Sequence, residues 1–187
     1  DMPYMSFHIN ATETRRNALR LIREGQAQAV KLEGGKPSRL EAIREIIDCE
    51  IPVVGHLGLT PQSINAFGGY KVQGKEQQQY DIIREQAMAI QKAGAFLLVL
   101  EGIPEMLGRE ITRDLEIPTI GIGAGRYTDG QVLVYHDVLG MADLQPRFVK
   151  QYANLNETIT DSLHRFCQDV KQGKFPAPEH VYYPVDK

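Results

Sequence analysis

The sequence predicts an α/β protein belonging to a (βα)8 barrel of the TIM type, and three observations carry that expectation. Short apolar runs alternate with helix-periodic stretches through short connections, the pattern of a parallel sheet under helical cover. Four of the runs end on an ionisable residue: Glu33 after "AVKL", His56 after "PVVG", Glu101 after "LLVL" and His136 after "VLVY". Doubly wound sheets also carry sites at the carboxyl ends of strands, but polar groups from so many successive strands suit a barrel mouth, where all the ends converge. Finally, five strands in 187 residues fall short of the roughly 250 residues of a whole barrel. The expectation is one catalytic barrel domain over residues 1–187, incomplete at its amino end, holding the fourth to the eighth strands. Roughly sixty or more residues would precede Asp1.

The elements follow in order. "TETRRNALRLIREG", Thr12 to Gly25, has a threonine cap, late arginines and a terminal glycine, so it reads as a helix, and the run "AQAVKLEGG" follows it. The helical "SRLEAIREIID" leads to the strand "IPVVGHLG", with Thr60-Pro61 as cap and first helical residue of the next turn. After a Gly-rich connection come the helix "YDIIREQAMAIQKAGA" and the strand "FLLVLEGIP", then "EMLGREITRDL" and "IPTIGIGAG". "GQVLVYHDVLG" reads as the fifth strand. A long amphipathic helix closes the chain, with Ile159, Leu163, Phe166 and Val170 on one stripe.

Composition narrows the function. A net charge of -3 gives no electrostatic footprint for nucleic acid or for an anionic membrane, and small neutral or anionic metabolites fit better. No apolar run approaches the roughly 18 residues of a membrane span. Cys49 and Cys167 have neither metal spacing nor a disulfide framework, which suits a reducing cytoplasm.

Strand alternation puts Lys31 and Glu33 on one face with Leu32 opposed. A structural ion pair would give the same pattern, but the following Gly34-Gly35 leaves space. We therefore read Lys31 as a holder of a substrate carboxylate or carbonyl oxygen, and Glu33 as facing a metal or ordering its waters. His56 stands at a strand end as either a structural histidine or a site residue. His136 reads better as hydrogen-bonded to a loop. Gly121, Gly123 and Gly125 of "GIGAGR" are spaced two apart and followed by Arg126, so the dinucleotide fingerprint fails, and the glycines read as close approach to a ligand or a neighbouring loop. The connection "NAFGGYKVQGKEQQQ", with Tyr70, Lys71 and Gln73 among its glycines, reads as a solvated loop or a lid over the mouth, and we favour the lid.

Together "KLEGG", "VVGHLGLTPQSINAFGGYKVQGK", "LLVLEGIP", "IPTIGIGAGRYTDGQVLVYHDVLG" and "FPAPEH" resemble the ketopantoate hydroxymethyltransferase family across nearly all of the chain. That family is related to the phosphoenolpyruvate-mutase and isocitrate-lyase barrels. The resemblance implies transfer of a one-carbon unit from 5,10-methylenetetrahydrofolate to 3-methyl-2-oxobutanoate, giving 2-dehydropantoate on the route to pantothenate and coenzyme A. It also implies Mg2+, a cytoplasmic setting and a large homo-oligomer, a decamer. By the same resemblance Glu101 is the proton acceptor, Lys31 and His56 bind the keto acid, Glu33 serves the metal, and Asp1 binds both metal and substrate. The family's early "GDS" element, with a further metal-binding aspartate and a substrate-binding serine, has no counterpart here.

The implied chemistry suits these residue types. Removing the C3 proton of a 2-oxo acid makes an enolate whose charge falls on the former carbonyl oxygen, where a hard divalent cation with oxygen ligands stabilises it. The base is a carboxylate, best placed where apolar surroundings disfavour its charge. Two rival readings remain at this stage: a carbon-carbon lyase or mutase acting on another 2-oxo acid, and a non-catalytic remnant or assembly subunit. Five strands cannot close an eight-stranded barrel, so these residues alone are expected to be inactive.

Overall fold

The computed structural model describes residues 1–143 and 145–184. The chain divides into two compact units, Asp1–Val132 and Leu133–Lys187. The first holds helix α1 (Ala11–Arg23), strand β1 (Val30–Glu33), α2 (Pro37–Ile47), β2 (Val53–Gly58), a 3-10 turn (Pro61–Ser63), α3 (Ile64–Phe67), α4 (Gln77–Lys92), β3 (Leu97–Glu101), α5 (Glu105–Asp114), β4 (Thr119–Ile122) and β5 (Gly130–Gln131). All four strand pairs are parallel and the order is β1-β2-β3-β4-β5. A doubly wound sheet reverses its strand order at a switch point. Strict sequential order instead makes an arc of consecutive barrel staves, as the sequence leads one to expect.

Register sorts the side chains onto two faces. Val30, Leu32, Val53, Leu57, Leu98, Leu100 and Thr119 are buried and point to the helical layer. There they meet Ala42, Ile43 and Ile46 of α2, Ile83, Ala87 and Ile90 of α4, and Leu107 and Ile111 of α5, each set falling on one side of its helix as an amphipathic helix requires. Gly55 lies on this face because a Cβ there would stand 2.6 Å from Ile90 Cγ2. The other face carries Lys31, Glu33, Val54, His56, Val99, Glu101, Ile120 and Ile122. The run "LLVLE" is thus buried on alternate residues only, with Leu97, Val99 and Glu101 half-buried.

Two sequence expectations change. Helix α1 is capped by Asn10, not by Thr12: the Asn10 side chain accepts from the Glu13 N–H at 2.9 Å. Asn10→Ala should therefore cost about 0.5–2 kcal/mol in urea unfolding, whereas Thr12→Ala should cost little. The fifth strand is only two residues long. Val132 and Val134 are exposed, and Tyr135–Val138 turns into the short helix α6. His136 consequently sits exposed on α6, with its ring 3.9 Å from that of Tyr135, and not at a strand end.

The second unit contains α6 and the long helix α7 (Leu155–Lys171), capped by Asn154, whose side chain accepts from the Glu157 N–H. Ile159, Leu163, Phe166 and Val170 lie along α7, all exposed.

Candidate active site

The ends of β1, β2 and β3 bring together every site residue the sequence singles out except the loop residues. Register sets Glu33 beside His56, and Glu101 beside Gly58, one step further along the strands. His56 is 3% exposed and central to the group. Its Nδ1 lies 3.3 Å from Lys31 Nζ and 3.8 Å from Glu33 Oε1, and its Nε2 lies 3.1 Å from Glu101 Oε2. The Lys31 ammonium can only donate, so Nδ1 accepts and the ring proton sits on Nε2, on the Glu101 side. That contact is close but lacks hydrogen-bond alignment, which leaves the buried Nε2 without a partner. A substrate oxygen would supply one.

Asp1 joins the group through main-chain pairing. The Met2 N–H donates to the Lys31 carbonyl at 2.9 Å, Met2 is fully buried, and Asp1 Oδ1 reaches Lys31 Nζ at 2.6 Å. Burial pushes the Lys31 ammonium below its usual range, while Glu33 and Glu101 pull the other way.

Gln62 was not legible as a site residue. Its N–H donates to Glu33 Oε2 at 2.9 Å and its side-chain Nε2 donates to the Met2 carbonyl, also at 2.9 Å, so one residue fixes both the Glu33 carboxylate and the segment that carries Asp1. The available signal was Pro61: a turn that opens on proline leaves the next N–H free to receive an acid.

The loop residues divide. Tyr70 and Lys71 are exposed, while Gln73 is buried, donates its N–H to the Gly102 carbonyl and accepts from Gln79 Nε2 at 2.6 Å. Gln73 anchors the loop to the residue after Glu101. The "GIGAGR" glycines allow close approach of neighbouring segments: a Cβ on Gly125 would overlap the side chain of Glu105 in α5, one on Gly121 would stand 2.5 Å from Thr128 Oγ1, and the Arg126 Nε–H donates to Glu105 Oε1 at 2.9 Å.

The fit to a metal can be tested on the donors. Among the described residues no group of three or more His, Cys, Asp or Glu side chains is placed to hold an ion. Asp1 and Glu33 nevertheless offer hard carboxylate oxygens, and Mg2+ commonly takes one or two carboxylates and completes its octahedron with water and substrate oxygens. In kind, this pair fits Mg2+.

Fold and site together define a class: a parallel α/β barrel with a carboxylate, a lysine and a buried histidine at the strand ends. The chain is similar in fold to the phosphoenolpyruvate phosphomutase of Streptomyces platensis subsp. rosaceus, with a TM-score of 0.50 at 14% identity over 96% of this chain and 64% of that one. The family model for ketopantoate hydroxymethyltransferase matches residues 1–178, and the chain belongs to that enzyme family. It is 56% identical over 183 residues to the 3-methyl-2-oxobutanoate hydroxymethyltransferase of Syntrophotalea carbinolica, covering 97% of this chain and 68% of that protein. With the enzyme of the same name from Clostridium beijerinckii the identity is 51%, covering 97% of this chain and 66% of the relative. The chain thus spans about two thirds of the length of the curated relatives it matches. Among the described residues no helix is long and apolar enough to cross a membrane.

Proposed function

We propose that this chain carries the acid-base half of a hydroxymethyl transfer from 5,10-methylenetetrahydrofolate to 3-methyl-2-oxobutanoate, giving 2-dehydropantoate. The observation that supports this most is the unpartnered Nε2 of His56 between Lys31 and Glu101. The Lys31 ammonium takes the keto-acid carboxylate, and His56 Nε2–H donates to a substrate oxygen. Glu101 accepts the C3 proton, and the electron pair of the broken C–H bond moves into an enolate. Carbon 3 then bonds to the folate-borne methylene carbon, both of whose bonds to folate nitrogens are broken over the whole reaction. Water supplies the hydroxyl, and its remaining proton and the one taken from C3 go to the two nitrogens of the departing tetrahydrofolate.

Asp1 and Glu33 would hold the Mg2+, which when bound offsets the negative charge growing on the substrate oxygens. On the family pattern we assign the enzyme to the cytoplasm and to a homo-oligomer, with Tyr70 and Lys71 at the tip of a lid.

The test is to incubate the full protein with 3-methyl-2-oxobutanoate and Mg2+ in D2O, then add the folate. Deuterium should enter at C3 and 2-dehydropantoate should form; absence of both would end this reading. Glu33→Ala should raise the Mg2+ concentration for half-maximal exchange by at least the roughly 10–100-fold that loss of an outer partner costs. An unchanged magnesium titration would remove Glu33 from the metal.

A further inference from the structure

A cavity of about 240 Å3 lies beside Glu33, between the start of α2, the segment Pro61–Phe67 and α4. Among the described residues three buried side-chain polar atoms lack a hydrogen-bond partner. Besides His56 Nε2 they are His8 Nδ1 and Gln62 Oε1, and both of those residues line this cavity. Burying such an atom unpaired costs about 1–3 kcal/mol, so two among the lining residues favour a polar occupant. The Gln62 assignment is secure on chemical grounds: its other terminal atom faces the Met2 carbonyl and must be the donor, which leaves Oε1 as an acceptor in need of an N–H or O–H. Lys36 and Arg39 bring positive charge to the rim, and Phe67 and Ile82 form an apolar wall. The volume is below the roughly 300–1,000 Å3 that takes a whole drug-sized ligand, so it suits one ring system with the rest of the molecule outside.

These features describe a flat, partly apolar ring with N–H donors on its edge, joined to an anionic tail. We infer that the cavity is the subsite for the reduced pterin ring of the one-carbon donor, with its carboxylate tail directed to Lys36 and Arg39. This rests on the function proposed above. Glu33 borders both the cavity and the Lys31–His56–Glu101 group, and Gln62 touches both through its N–H and its amide. A ring seated against Gln62 would thus share the Glu33 carboxylate with the keto-acid site.

The experiment compares the full protein with Ala66→Leu, which fills the cavity, and Arg39→Met, which removes a rim charge. The KM for 5,10-methylenetetrahydrofolate should rise about tenfold or more, the size of one lost charge-assisted contact, while the KM for 3-methyl-2-oxobutanoate moves less than about twofold. Independently of the variants, tetrahydrofolate added to the wild type should slow amide hydrogen exchange in residues 62–67 and 79–86. Equal effects on both substrates, no effect on either, or protection confined to other segments overturns the subsite and leaves the transfer reaction standing. A wild type that neither binds tetrahydrofolate nor transfers the carbon overturns the function and the subsite together.

Discussion

Replacing Glu101 with glutamine should lower both C3 deuterium exchange and product formation by about 10²–10⁴-fold, the usual contribution of a positioned general base. Glutamine keeps the shape but replaces the carboxylate with a neutral amide that cannot take the proton. The neighbouring contacts would survive: His56 would still face Lys31 at Nδ1, and the Leu59 N–H would still donate to the carbonyl of residue 101, because that bond is main-chain. The KM for the keto acid should therefore change little, since Lys31 and His56 hold the substrate. Full turnover with glutamine at this position would exclude Glu101 as the base. A matched rise in KM with unchanged kcat would make it a binding residue instead.

The largest structural effect is expected at Gly58. Its φ is +93°, in the region that favours glycine, and an added Cβ would overlap the Glu101 carbonyl oxygen while standing 2.7 Å from Ile103 Cγ2. The backbone penalty of about 1–2 kcal/mol adds to an overpacking cost of about 1–3 kcal/mol. Gly58→Ala should thus destabilise by about 2–5 kcal/mol and lower Tm on the order of 5–15 °C. Relief of the clash has to push β3 away from β2 at the Leu59–Glu101 hydrogen bond, so deuterium exchange should fall as well. Gly69→Ala is the control: φ is +117° there, but nothing lies within 4 Å of the added Cβ, so only the backbone penalty applies. Equal Tm losses in the two variants would remove the close approach of β2 and β3 from the explanation.

Much of the fold was legible because its cause is local. The period-two pattern of "VKLE" and "LLVLE" and the three-to-four spacing of Ile83, Ala87 and Ile90 report which face each element buries, and they hold whatever the neighbours are. The fifth strand was misread for the complementary reason. "VLVY" has the apolar β-branched character of a strand, but whether it stays extended depends on a covering layer, and its valines are exposed. The cap of α1 moved from Thr12 to Asn10 because two polar residues both satisfy the capping rule and only the path of the chain chooses between them.

The site divides in the same way. Lys31, Glu33, His56 and Glu101 could be named from the chain alone, because each follows an apolar run and alternation assigns its face. Their distances could not, since they depend on register between strands 20 or more positions apart: Glu33 beside His56, and Glu101 one step beyond it, beside Gly58. Gln62 and the unpartnered atoms around it were invisible for a further reason. A glutamine in a turn has no periodicity to betray it, and its importance arises only when the turn, β1 and the first residues of the chain converge on it. Sequence settles what each strand end offers, because that follows from local patterning. Which of those groups meet, and which buried atoms stay unpaired, is decided by the parallel register of the sheet and the close approach it permits at glycine.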